Sequence, residues 1–287
     1  MSKPKILLQL DVDAQPSVFD SVVAIDSGVD HLLRHQGINA ENVRERVHGA
    51  IFTRGPDDLR STAIFVGGSD VAAGEAVLEE ILRTFFGPMR VSVMLDPNGA
   101  NTTAAAAVLA AAKHVPLAGA TAAVLASTGP VGQRVVRLLA RSGATVRAAS
   151  RSQARAKEAC DAVAKQVSGA RLTAHAATSQ QEVSTLLDGA QIVIAAGAPG
   201  VELLSEATLR QAKDLRVAID LNAVPPAGLA GVGVMDKAAE KEGVVCYGAI
   251  GVGGAKMKIH KAAIQRLFAS NDQVLDAEQL FEIGQGL

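Results

Sequence analysis

The stretch TAAVLASTGPVG, residues 121–132, constrains this chain more than any other. Residues 122–126 are apolar and read as a buried strand, and small residues then turn the chain into a helix beginning near Gln133. This is a dinucleotide fingerprint with Ser127 in place of its first glycine. It makes Ser127, Thr128, Gly129, Pro130, Val131 and Gly132 candidate cofactor contacts. Small side chains are required because the backbone must approach a pyrophosphate closely, and the amides opening the helix hold its charge. Similar turns occur in proteins that bind nothing, so the neighbouring segments decide.

Those neighbours continue the pattern. Residues 144–149 read as the next strand, and it ends in Ser150-Arg151-Ser152, where an NAD enzyme carries an acid for the ribose hydroxyl. No carboxylate stands there to repel a phosphate, and arginine can hold the 2′-phosphate of NADP by a forked, charge-assisted contact. The expected cofactor is therefore NADP, with NAD as the alternative. In the bland reading Arg151 and Arg155 only solvate a helix start. Further strands are predicted at 171–174, 191–195 and 217–221. The turns after the last two, 196–200 and 222–226, place Ala196, Gly197 and Asn222 where the nicotinamide half would lie.

The segment before the fingerprint also alternates strand and helix. Predicted strands at 6–10, 63–66 and 91–95 each run into a polar loop and then a helix. Ser17 and Asp20 form a capping box, which puts Phe19 in a first helical turn, and a second helix spans 71–86. Asn101 is the expected N-cap of an Ala-rich helix, with Thr102 and Thr103 in its first turn. Ligands of open α/β sheets bind beyond the carboxyl ends of the strands, and Phe19, Ser69, Asp70, Thr102 and Thr103 all fall there.

After residue 248, Gly251, Gly253 and Gly254 read as a flexible turn, followed by the helical sequence AKMKIHKAAIQRLF. Ile259, Ala263, Ile264 and Leu267 define its apolar face, with Lys258, Lys261 and Gln265 opposite. Lys256 and His260 fall near the centre of the apolar face, one turn apart. An inward ammonium is costly unless something receives it, which points to a substrate site; otherwise Lys256 snorkels and His260 is a satisfied core histidine. The expected fold class is α/β, with two α/β domains, the second Rossmann-like. The expected boundaries are 1–112 joined by 255–287 for the substrate domain and 113–254 for the NADP-binding domain.

Bulk properties exclude several classes. The 287 residues carry 28 basic and 29 acidic side chains, no Trp and one Tyr, so neither charge nor aromatic stacking favours nucleic acid. The run 104–112 is about half of what a bilayer span needs, and the apolar start reads as a strand rather than a signal peptide. No membrane partner and a cytoplasmic location are expected. Cys160 and Cys246 have no pairing or metal spacing, which suits that location. His31 and His35 have the spacing of a helical metal pair but no third ligand, so they read as surface residues at a helix end, and no metal is expected. No Gly-x-Ser-x-Gly turn or phosphate-binding Gly-Lys-Ser/Thr loop is present.

Taken together, QPSVFD (15–20), STAIFVGG (61–68), DPNGANTTAAA (96–106), STGPVG, DLNAVPPAG (220–228) and GAIGVGGAKMKIH resemble one family. It is the NADP-dependent methylenetetrahydromethanopterin dehydrogenases of methylotrophic bacteria, whose members can also act on methylenetetrahydrofolate. The resemblance spans nearly the whole chain. It implies an enzyme of one-carbon metabolism with a reduced pterin carrier as substrate. It also implies two α/β domains with the substrate cleft between them, completed by a neighbouring subunit of a homo-oligomer, typically a trimer. The family's active-site Phe, Thr, Lys and His fall on Phe19, Thr103, Lys256 and His260. Ser127 replaces a family glycine, and Ser152 stands where NADP-specific relatives can carry a second basic residue. Oxidation of the methylene bridge removes a hydride and needs no base. The expected roles are an apolar wall from Phe19, a polar pterin contact from Lys256, a hydrogen bond from Thr103 and an orienting role for His260. Two other readings compete. A shikimate-dehydrogenase-like oxidoreductase would need a lysine–aspartate pair in the first domain, where Lys113 is the only lysine between Lys5 and Lys157. A non-catalytic NADP-binding redox sensor would bind nucleotide without turnover.

Overall fold

A computed structural model describes residues 3–287. They form two compact units, 3–102 with 257–287, and 103–256. The division passes through two helices, one in each of the segments that join the units.

The first unit opens β1 (Ile6–Asp11), α1 (Val18–Asp26), β2 (His31–His35), α2 (Val43–Ile51), β3 (Thr62–Gly67), α3 (Val71–Thr84) and β4 (Ser92–Leu95). The helix α4 (Ala100–Ala112) follows. Ser17 caps α1, its side chain accepting from the Asp20 N–H, so Phe19 lies in the first turn as its spacing predicts. Asp70 caps α3 in the same way.

The second unit holds β5 (Thr121–Leu125), α5 (Pro130–Arg141), β6 (Thr145–Ser150), α6 (Gln153–Gln166), β7 (Arg171–Ala176) and α7 (Gln180–Leu187). It continues with β8 (Ile192–Ala195), α8 (Glu206–Gln211), β9 (Val217–Asp220), β10 (Lys237–Lys241), β11 (Val244–Tyr247) and α9 (Ala249–Arg266). The chain then returns to the first unit with β12 (Val274–Leu275) and α10 (Ala277–Gln285).

The first sheet has the order β12-β4-β3-β1-β2, every pair parallel. The second has the order β10-β11-β9-β8-β5-β6-β7 and is parallel except for the β10–β11 hairpin. This is the α/β class expected. Both sheets reverse strand order beside their first strand, β1 and β5, and such switch points open a crevice at the carboxyl ends. Leu8, Leu10, Val47, Ile64 and Val93 lie in the core of the first unit, and Leu125, Leu186, Val193 and Ala218 in that of the second.

Several local expectations are corrected. The helix α5 begins at Pro130, three residues before Gln133, because proline at the first helical position needs no N–H partner. Asn101 is not the cap of α4: the Asp96 carboxylate takes that role, accepting from the Asn101 and Thr102 N–H groups at 2.9 and 3.1 Å. His31 and His35 lie on the edge strand β2, not at a helix end. The glycines 251, 253 and 254 form no turn; they are inside α9. A side chain at Gly251 would collide with the Asp236 carbonyl, and one at Gly248 with the Gly233 carbonyl, so these glycines let helix and loop backbones touch. The β10–β11 hairpin and β12 were not foreseen. Among the described residues no helix is long and apolar enough to cross a membrane.

Candidate active site

In the second unit the fingerprint builds a backbone cradle. Ala126, at φ 55°, takes the left-handed turn after β5, and the Ser127 N–H donates to the Ala149 carbonyl at the end of β6, 2.9 Å away. A Cβ on Gly132 would stand 2.5 Å from the Ala126 carbonyl oxygen and 2.8 Å from Ser127 Cα, so only glycine fits there. The first-turn amides of Val131 and Gly132 have no carbonyl one turn earlier within α5 and are placed to receive an anion.

Beside the cradle lies a cavity of about 690 Å³. Thr128, Gly129, Ser150, Arg151, Ser152, Ala196 and Gly197 line it, all expected cofactor contacts. Ser127, Pro130, Val131, Gly132 and Asn222 do not line it. The Ser150 hydroxyl donates to the Ser152 carbonyl at 2.7 Å, and the Ser152 side chain caps α6, so the two serines shape the turn and leave Arg151 exposed. Arg155, in the first turn of α6, is the second cation on this wall. Thr178, Ser179 and Gln180 complete the wall and were missed; the Ser179–Glu182 capping box that opens α7 was the available signal. Glu182 is held below the usual carboxylate range by hydrogen bonds from Thr178 and Ser179. Asn222 is committed to its own loop: its amide donates to the Pro226 carbonyl and accepts from the Val224 N–H, both at 2.9 Å. The neighbouring Asp220 is pushed up by burial, against opposing hydrogen bonds from the Asn222, Leu229 and Gly228 amides.

In the first unit a polar cluster forms where β1, β3 and β4 end. Asp11 is buried and accepts from the Asp13 and Ser17 N–H groups at 3.1 and 2.9 Å. Asp13 accepts from the Ser69 N–H and hydroxyl at 2.9 and 2.8 Å. Asp96 is buried too, and its Oδ2 accepts from the Thr102 hydroxyl at 2.6 Å. On α9, His260 is only 1% exposed. Its ring stacks on Phe65 with centroids 5.5 Å apart, lies 6.4 Å from the Phe19 ring, and has Nδ1 4.0 Å from Asp96 Oδ2. Phe19 itself is 52% exposed and so leaves apolar surface open beside the buried histidine. Lys256, half-buried, stands one turn before His260 on α9, and half-buried Thr103 follows Thr102 on α4. The first unit thus brings Phe19 and His260 together, with Asp96 and Phe65 as neighbours the sequence did not single out. Among the described residues no group of three or more His, Cys, Asp or Glu could hold a metal ion.

Comparison with known proteins places this arrangement. The family described as methylene-tetrahydromethanopterin dehydrogenase, N-terminal, matches residues 18–98. An NAD(P)-dependent methylenetetrahydromethanopterin dehydrogenase of Methylorubrum extorquens is 28% identical over 93% of this chain and 93% of its own. The bifunctional protein MdtA of the same organism is 44% identical, over 99% of this chain and 98% of its own. The chain belongs to the methylenetetrahydromethanopterin dehydrogenase family. Among solved structures, a shikimate 5-dehydrogenase from Listeria monocytogenes, in complex with shikimate and NAD, is similar with a TM-score of 0.56 at 13% identity. It covers 98% of this chain and 96% of that one, and the likeness is one of fold alone.

Proposed function

We propose that this member of the family oxidises the methylene bridge of methylenetetrahydromethanopterin to the methenyl form with NADP as hydride acceptor, and accepts methylenetetrahydrofolate as a second substrate. The observation that carries the reading is the glycine cradle at Gly132 beside a cavity walled by Arg151 and Arg155, in a chain related to these dehydrogenases over its whole length. The cradle fits a pyrophosphate because a Cβ would fill it, and the turn after β6 presents cations and no carboxylate to a 2′-phosphate.

When bound, NADP supplies a nicotinamide ring that accepts the hydride. The methylene carbon gives up one hydrogen with both bond electrons, and the resulting positive charge is shared by its two nitrogens. No proton moves, so the chain's residues bind, orient and exclude water. Phe19 supplies an apolar wall that keeps water from the methenyl carbon. Lys256 addresses a polar edge of the pterin, because a cation against the bridge carbon would oppose the developing charge. Thr103 hydrogen-bonds the pterin. His260 is buried and acts through its neighbours. We further infer a homo-oligomer, a trimer by family resemblance, which the exposed apolar stripe Val18, Val22 and Ile25 on α1 supports and sedimentation analysis tests.

The testing experiment follows reduced nicotinamide with NADP and NAD against both methylene carriers. Turnover fastest with NADP is expected; nucleotide binding without turnover of either carrier overturns the reading. Lys256→Ala is expected to lower kcat/KM for the pterin, and an unchanged value removes the role given to Lys256.

A further inference from the structure

His260 does not stand alone in its burial. The Asp96 carboxylate divides its two oxygens between two tasks. Oδ1 takes the N–H groups of Asn101 and Thr102 and fixes the first turn of α4. Oδ2 takes the Thr102 hydroxyl at 2.6 Å and faces His260 Nδ1 at 4.0 Å, an ion-pair distance rather than a hydrogen bond. A carboxylate this close favours the protonated imidazole, while burial between aromatic rings opposes it.

We propose that Asp96 is a positioning residue for the reaction: it sets the charge of His260 on α9 and, through the same carboxylate, the turn of α4 that carries Thr103. This rests on the proposed function for its role in turnover, but not for its electrostatic content. Other charged and aromatic groups lie on the elements packed around His260. Phe65 of β3 stacks on the ring and carries no charge. Phe19 of α1 touches it, and the adjacent Asp20, with Asp11 at the end of β1, has an oxygen 3.5 Å from where a Gly67 Cβ would stand. On α9, Lys256 is one turn away and Lys261 is paired to Asp26 at 2.9 Å. Asp276 of α10 accepts from Asn101 Nδ2 at 2.8 Å. The Asp96 Oδ2 stands at ion-pair distance from the imidazole.

The test is the titration of His260 by NMR in the ligand-free, full-length protein labelled at histidine, with the signal assigned from a His260→Gln variant. Asp96→Asn keeps an oxygen to cap α4 and removes the charge, and is expected to lower the His260 midpoint by roughly 1–3 pH units. Thr102→Val removes the hydroxyl that shares Oδ2 and is expected to raise it. Opposite shifts from two neighbouring substitutions are not the signature of a cap that merely holds the fold. A midpoint unmoved by Asp96→Asn overturns the proposal; if that variant does not fold, Thr102→Val decides, and a midpoint that stays or falls overturns it. The pH profile of kcat/KM for the methylene carrier is expected to move with the NMR midpoint in each variant, and a profile that stays fixed while the midpoint moves overturns the role in turnover. Absent wild-type turnover instead defeats the proposed function and leaves the NMR result standing.

Discussion

In the proposed nucleotide site Gly132 and Arg151 act by opposite means, one through an atom it lacks and the other through a charge it carries. Gly132→Ala forces a methyl group against the Ala126 carbonyl, so we expect a stability loss of about 1–3 kcal/mol, read as a lower urea midpoint, together with weaker NADP binding. Arg151→Ala is expected to weaken NADP by about 1.5–3 kcal/mol, the range of a hydrogen bond to a charged group, and to leave NAD nearly unchanged. Equal losses for both nucleotides in calorimetric titrations would place the 2′-phosphate elsewhere. His35 adds a pH dependence: burial, then Arg46, lowers its pKa. The unfolded chain therefore takes up the proton first, and stability present above about pH 6.5 declines as pH falls below it. His35→Gln is expected to flatten that decline in Tm, although His175, lowered by burial and then Arg147, retains a parallel share. The close backbone approach at Gly132 and the place of Arg151 after β6 were legible because a fingerprint fixes their spacing. Asp96 was not, since a carboxylate before Pro-Asn-Gly reads as an ordinary turn residue until its partners are brought together by folding.

Among the elements, α9 departs most from its sequence signal. Glycine marks a turn when a positive φ is needed, but here the missing Cβ serves backbone contact, and periodicity cannot tell the two uses apart. Two substitutions in the same helix separate them. Gly254→Ala meets nothing within 4 Å and is expected to stabilise by about 0.4–1 kcal/mol, as alanine does in helices. Gly251→Ala has the same propensity gain but runs into the Asp236 carbonyl, and thermal unfolding is expected to show a net loss. A stabilised Gly251→Ala would mean that the close approach is not enforced. The β2 reading failed for a related reason. The spacing of His31 and His35 suits a helix face, but on a strand those positions are roughly 13 Å apart, too far to share an ion. Long apolar strands and the helix α3 were read closely from periodicity, whereas the two-residue β12 has too little sequence to carry any signal.

At the scale of the whole molecule, alternating strand and helix signals were enough to read an α/β class and a dinucleotide fold, because parallel sheets demand buried apolar strands joined by amphipathic crossovers. The strand that follows α9 was not readable: β12 extends the first sheet by pairing Val274 with Val93 and Leu275 with Met94. NADP bound to the folded chain raises its stability by mass action, about 2.7 kcal/mol at a hundred times Kd. We therefore expect Tm to rise with NADP and to rise less with the same concentration of NAD; equal shifts would remove the discrimination assigned to the end of β6. The discontinuous first unit has one more consequence. During synthesis the ribosome delivers all of the second unit before it delivers β12 and α10, so the second sheet can close while β4 is paired on one side only. The unit that begins first is completed last.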